Sequence, residues 1–376
     1  MRSWAVHFPC SAPMGSVRRR AFPISFARGW RSSSFDESCS AELRLMNCPS
    51  CFSFRGAWYV SVRSELCVFT FALIAACRTS QPNPAAGIEF EAISLLGDTL
   101  RRPALDSATR ERMQGQLAAA RIESTARPND PDALIWVGRR LGYLGRYYGA
   151  IEVFSDGIRR FPNDARMYRH RGHRYISVRE FDKAIGDFQR AARLMAGKPD
   201  EVEPDGQPNA RGIPIGSLQS NVWYHLALAH YLKGEWDAAA RAARSGIQVS
   251  NNPDRLVSQT HWLYMALRRA GRTAEAAAAL APIKDDFEVI ENQSYYRLVL
   301  ACKNGVPRSV VDSIMATGAV NPSDASFAYG VANWVLYNGD TTRAVRAFEQ
   351  LRTGGSWASF GYLAAEADLA RIGGKR

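Results

Sequence analysis

Residues 131–196 read PDALIWVGRRLGYLGRYYGAIEVFSDGIRRFPND followed by ARMYRHRGHRYISVREFDKAIGDFQRAARLMA, and the second line rewrites the first 34 positions later. Gly138, Leu141, Tyr147, Ala150 and Phe154 recur as Gly172, Tyr175, Phe181, Ala184 and Phe188. A period of this length marks a helical hairpin repeat, in which each helix pair buries its apolar face only by stacking on its neighbours.

The register extends outward from this stretch. On the N-terminal side, Pro128-Asn129-Asp130 recurs as Pro162-Asn163-Asp164, at the exit of a helix that Asp106 or Ser107 caps. Helical sequence is expected from Ala85 to Arg127. On the C-terminal side, six copies align on the small residue opening the second helix: Ala150, Ala184, Ala239, Ala276, Val310 and Ala344, spaced 34, 55, 37, 34 and 34. Five positions earlier stand Gly145, Arg179, Gly234, Gly271, Gly305 and Gly339, where glycine eases the left-handed backbone that ends a helix. The copy around Gly305 fits least well, with Arg297 at an apolar position. Residues 357–372 read as a terminal helix with Trp357, Phe360, Leu363 and Leu369 on one side, suited to capping the array.

Small residues Gly138, Gly172 and Ala227 in the first helices, with Ala150, Ala184 and Ala239 in the second, let helix backbones approach. Leu134, Tyr168, Trp223, Phe154 and Phe188 fill the space to the next pair. This small-large series resembles the tetratricopeptide repeat family. The resemblance implies an all-α, right-handed superhelical solenoid of about six helix pairs with flanking helices. The repeat domain is expected over 105–372, with repeats near 131–164, 165–198, 220–253, 257–290, 291–324 and 325–356.

The 55-residue spacing exceeds the period by 21, an insertion over 197–217. It carries Pro199, Pro204, Pro208 and Pro214, four glycines, and the acids Asp200, Glu201, Glu203 and Asp205. Loops this long inside a compact array are usually functional or disordered. Beside it lies the basic helix 166–174, with Arg169, His170, Arg171, His173 and Arg174. In tetratricopeptide repeats the first helices line a concave groove, and the resemblance places Arg139, Arg169, His173, Tyr224 and Tyr231 there. Such a groove suits a protein or peptide partner, in particular an acidic segment or C-terminal carboxylate held by Arg forks and stacking. The acidic insert is then a lid competing for the same charges. The alternative is a set of solvated charges, with the insert covering a joint between repeats. Arg169–Tyr175 and Asp200–Gly206 also look similar to segments of bacterial tetratricopeptide-repeat proteins, which implies no activity.

Enzyme chemistry finds little footing. The chain has no phosphate-cradling glycine loop ending in Lys-Ser or Lys-Thr, no His-Glu-x-x-His and no Gly-x-Ser-x-Gly. His170 and His173 could share a helix face and ligate a metal with an acid of the insert, but no third ligand is evident. Cys48-x-x-Cys51 stands without a second pair. No cofactor is expected, and the reading is non-enzymatic.

The N-terminal quarter differs in kind. Six of seven cysteines (Cys10, Cys39, Cys48, Cys51, Cys67 and Cys77) lie there, with Cys302 alone in the repeats. Residues 1–61 show no sustained period and read as an unstructured or misassigned leader. Residues 62–77 hold Arg63, an apolar run over 66–76, and Ile74-Ala75-Ala76-Cys77. That is a secretory pattern too short to span a bilayer. It resembles the lipobox of bacterial lipoproteins. The resemblance implies lipidation of Cys77, a tether over 78–104, and attachment at the cell envelope facing the periplasm or exterior. The alternatives are a buried element of the N-terminal region and a soluble cytoplasmic adaptor. Net charge is +12, of which the first 76 residues contribute +5. No Lys/Arg run with interleaved aromatics appears, so nucleic acid is not an expected partner.

Overall fold

A computed structural model describes residues 90–317 and 322–374. The leader, the lipobox-like segment with Cys77, and the Cys48/Cys51 pair lie outside these residues. The described chain begins with β1 (Phe90–Ile93) and β2 (Thr99–Arg101), followed by α1 (Ser107–Ala126). Six helix pairs follow: α2 (Pro131–Tyr143) with α3 (Tyr147–Arg160), α4 (Ala165–Ser177) with α5 (Phe181–Met195), and α6 (Leu218–Lys233) with α7 (Trp236–Gln248). Then come α8 (Pro253–Arg269) with α9 (Thr273–Ala279), α10 (Gln293–Asn304) with α11 (Arg308–Thr317), and α12 (Pro322–Tyr337) with α13 (Thr341–Arg352). Helix α14 (Phe360–Gly373) ends the chain.

The helices start and stop where their chemistry dictates. Asp106 caps α1 by accepting from the Thr109 amide at 2.8 Å, and Asp130 and Asp164 do the same for α2 and α4. The repeated Pro-Asn-Asp therefore both ends one helix and caps the next. Within the pairs, Gly145, Gly234, Gly271, Gly305 and Gly339 take positive φ, and Arg179 is the one non-glycine among the described residues that does so, at 68°. Close approach follows from the small residues. A Cβ on Gly138 would lie 2.4 Å from the Phe154 ring, and one on Gly172 would lie 2.9 Å from the Phe188 ring. Phe154, Phe188, Ala150 and Ala184 are completely buried there. Arg297, on α10, keeps its guanidinium outside and stacks it 4.4 Å over the Phe327 ring.

Three elements differ from the sequence expectation. First, residues 90–101 form an antiparallel hairpin rather than helix. Gly97 turns the chain at φ 92°; in β2 Leu100 faces the core between exposed Thr99 and Arg101, a period of two, while in β1 Glu91 and Ala92 are both buried beside an irregularity of the register. Second, α9 spans only 7 residues, and the chain returns to α10 through irregular structure pinned by Asp254. The buried Asp254 carboxylate accepts from the Ile290, Glu291 and Asn292 amides at 2.7–2.8 Å.

Third, the terminal helix does more than cap the last repeat. It packs on α12 and α13 and also on α6, four repeats back. Phe360 lies against His173, Tyr224 and His225. Asp368 pairs with Arg269 at 2.9 Å and accepts from the Tyr329 hydroxyl at 2.8 Å. The first helices of the pairs face one another, and α14 fills the space between them. Glu366, fully buried, completes the closure by pairing with Arg179 at 2.7 Å and accepting from the Leu95 amide at 2.7 Å. Trp357 donates its indole N–H to the Arg101 carbonyl at 2.6 Å. The hairpin, α4 and α14 are thus tied together across more than 250 residues of sequence.

Candidate functional site

The repeat register puts Arg139 and His173 at equivalent positions of α2 and α4, and likewise Arg140 and Arg174. Arg139, His173 and Arg174 turn to one cavity, whereas Arg140 reaches Gln116 of α1 and the Gly206 carbonyl. Gly142 leaves room for a guanidinium, because a Cβ there would sit 2.7 Å from Arg174 Nη1. The result is a cavity of about 130 Å³ lined by Arg139, Tyr143, Arg169, His170, His173 and Arg174, with Gly138 and Phe154 behind.

Charge in this cavity is poorly balanced. Arg169, nearly buried, pairs with Glu203 of the insert at 2.8 Å. Its Nε finds no acceptor, and neither Glu203 Oε1 nor Asp205 Oδ2 finds a donor. Arg139 donates to the Tyr143 hydroxyl at 3.2 Å and lies 4.4 Å over Trp136. Arg174 lies 5.5 Å over the Tyr147 ring. Neither has a carboxylate within ion-pair distance among the described residues. Burial, more than any neighbour, pushes the Arg169 and Arg174 guanidiniums down from their ordinary value. Burial also raises the Asp205 carboxyl, which Arg139 and Arg255 partly offset.

The histidines are held neutral. Burial, reinforced by the surrounding arginines, pushes His170, His173 and His225 well below the usual imidazole value. Arg169 Nη1 lies 2.9 Å from His170 Nδ1. Arg donates only, so the His170 proton belongs on Nε2, 4.0 Å from Glu203 Oε1. His173 packs on His225 at 4.4 Å between ring centres. Among the described residues, no three His, Cys, Asp or Glu side chains come together as a metal site.

The insert is built to reach this cavity. A bridge between Val202 and Ser217 closes its base. Glu203 accepts from Asn221 Nδ2 as well as from Arg169. Farther out, Arg140 donates to the Gly206 carbonyl at 3.0 Å. Gly206 lies flat on Tyr143, where a Cβ would fall 1.9 Å from the Tyr143 hydroxyl oxygen. The opposite end holds to the 280–291 loop through Asn209 to Glu291 at 2.7 Å and Arg211 to Glu288 at 2.5 Å.

Of the five groove positions named from sequence, Arg139, Arg169 and His173 converge on the cavity. Tyr224 and Tyr231 share the inner face but are covered. Tyr224 shares a hydrogen bond with Tyr295 at 2.8 Å and receives the Trp262 N–H at 3.1 Å. Tyr231, with no exposed surface, pairs its hydroxyl with Tyr329 at 2.9 Å. These hydroxyls tie first helices to one another beneath α14, which leaves them no surface for a peptide. Arg174, named from sequence in the basic helix but not placed in the groove, and Tyr143, not named, also belong to the site. The signal for Arg174 was its 34-residue spacing from Arg140, with Gly142 facing it.

Six helix hairpins stack in sequence, the first two with the same small-large contact, Gly138–Phe154 and Gly172–Phe188. The fold is a tetratricopeptide-type helical repeat. No known family profile matches the sequence, and no curated protein matches it. Solved structures similar to this array include MamA, at 21% identity over 46% of this chain and 82% of that one, with a TM-score of 0.36. YrrB, described as a TPR protein with an unusual peptide-binding site, is 13% identical over 69% of this chain and 98% of its own, TM-score 0.36. The kinesin light chain TPR-like repeats of Podosopora anserina are 17% identical over 60% and 95%, TM-score 0.36. Likeness at this level assigns no partner to the helical array described here.

Proposed function

We propose that the protein is a non-enzymatic interaction scaffold that holds an acidic segment of a protein partner in the Arg139–Arg169–Arg174 cavity, from a lipid anchor at Cys77 on the cell envelope. The observation that carries the binding reading is the convergence of three guanidiniums on one cavity, of which Arg169 alone is paired to a carboxylate, Glu203. Guanidinium forks match carboxylates in geometry and charge, and in a partly desolvated cavity such pairs are worth more than on an open surface. The rest of the inner face is occupied by α14, so a partner reaches this cavity from the insert side and not along the whole groove. The envelope placement rests on the lipobox-like segment 62–77 alone.

The test is binding of acidic peptides, free and with a C-terminal carboxylate, to wild type and to Arg139→Gln/Arg174→Gln. A loss of about tenfold or more, equivalent to roughly 1.4 kcal/mol, is expected in the double variant. Affinity unchanged by both substitutions overturns the site. Arg169 is unsuited to this test, because removing it strands Glu203. Labelled palmitate incorporated by wild type and lost in Cys77→Ser supports the anchor. Its absence, with the protein recovered in the cytosol, leaves a soluble adaptor.

A further inference from the structure

The charge and size of the cavity say more than that it takes an acid. Around it stand Arg139, Arg169, Arg174 and, behind Glu203, Arg255, which donates to the Ile215 carbonyl at 2.7 Å and to Asn221 Oδ1 at 2.9 Å. Against the three guanidiniums of the lining stand two carboxylates, Glu203 and Asp205, and Arg255 has Glu291 as well as Glu203 acting on it, so one positive charge is in excess with the histidines neutral. The cavity, about 130 Å³, admits one compact group, not a row of acidic side chains. A single carboxylate brings one charge and two oxygens, and Glu203 already supplies that on Arg169. The groups left without acceptors point to more: among the described residues, Arg169 Nε is buried and unpaired, and the Arg174 guanidinium, stacked over Tyr147, has neither hydrogen bond nor ion pair.

We propose that the Arg139–Arg169–Arg174 cavity is a site for one compact tetrahedral dianion of the phosphate class, with Glu203 as the internal carboxylate that partly occupies its charge. This rests on the reading of the cavity as the docking point and names the group it receives. A phosphoryl group carries about 1.5–2 negative charges near neutral pH and three acceptor oxygens, which offer one acceptor to each of the three arginines. The neutral His170, with its proton on Nε2, and the Tyr143 hydroxyl add uncharged donors. The same chemistry comes from inorganic phosphate or from a phosphorylated side chain of the partner.

The experiment is calorimetric titration of the full chain with inorganic phosphate, with sodium chloride at matched ionic strength as control. The same protein is titrated with an acidic peptide and with that peptide phosphorylated on one serine. Phosphate is expected to bind with one site per chain. Arg174→Gln is expected to weaken it at least tenfold, and Glu203→Gln to tighten it severalfold by removing the competing charge. Circular dichroism of each variant establishes that it folds. Tighter binding of the phosphopeptide than of its parent identifies a partner's phosphoryl group as the source, whereas phosphate binding without any peptide binding identifies the free anion and overturns the scaffold reading alone. Peptide binding that is indifferent to phosphorylation, with no response to phosphate beyond chloride, overturns the dianion site and leaves the scaffold reading standing. No binding of any probe overturns both.

Discussion

Arg179 shows how one residue departs from the repeat pattern and what replaces the lost advantage. Five of the six inter-helix turns use glycine in the left-handed region, where an L-residue costs about 1–2 kcal/mol. Arg179 accepts that cost because its guanidinium reaches Glu366 at 2.7 Å and the Trp357 carbonyl at 3.0 Å, with the pair almost wholly buried. Removing one partner of a buried pair leaves an uncompensated charge, at about 3–5 kcal/mol. Arg179→Ala is therefore expected to lower the unfolding free energy by about that amount. Arg179→Gly, though it relaxes the backbone, is expected to fall short of wild type as well. A loss below about 1 kcal/mol in urea unfolding would place this pair with solvent-screened ones. The sequence pattern made this position visible as the missing glycine, but the reason for it lies 187 residues away.

At the scale of elements, α14 is seated by contacts that admit no extra atoms. A Cβ on Gly361 would lie 2.1 Å from the Ala325 carbonyl oxygen, so an alanine there cannot fit unless α14 moves off α12. Gly361→Ala is expected to cost about 1–3 kcal/mol and to open residues 357–374 to limited proteolysis while the repeats stay helical. Unchanged resistance to protease would show that α14 is not held so closely. The insert is organised in the same way, with Gly206 under Tyr143 and Gly216 beside Arg255 at points where a Cβ would collide. The insert's length and acidity were readable in the sequence. Its use of Glu203 and not Asp200 was not, because that depends on which strand residue faces inward once Val202 bridges Ser217.

At the scale of the whole molecule, four imidazoles among the described residues are buried or half-buried and held uncharged. His170, His173 and His225 lie well below the ordinary value, and burial brings His261 to about 3. As pH falls below about 6.5, the unfolded chain takes up protons at these residues while the folded one does not, so protonation favours unfolding. Their contribution is complete above the unfolded value and declines toward the folded ones, by about 1.4 kcal/mol per pH unit for each histidine in its window. Urea unfolding at pH 7.5 and 5.5 is expected to show a clear loss of stability at the lower pH, and His261→Gln a shallower one. Stability that is flat over this range would contradict their burial in the neutral form.

The sequence by itself determined the 34-residue period, the helix pairs, the turn positions and the cap of the first helix at Asp106. All of these are set by neighbours within one or two repeats, and a repeated local environment leaves a repeated residue pattern. Only the tertiary structure decided that residues 90–101 form a hairpin, that α14 occupies the inner face, and that Tyr224 and Tyr231 are covered while Arg139, Arg169 and Arg174 share a cavity. The contacts responsible, Leu95 and Arg179 with Glu366 and Arg101 with Trp357, join distant parts of the chain once each. A contact made once leaves no period to read.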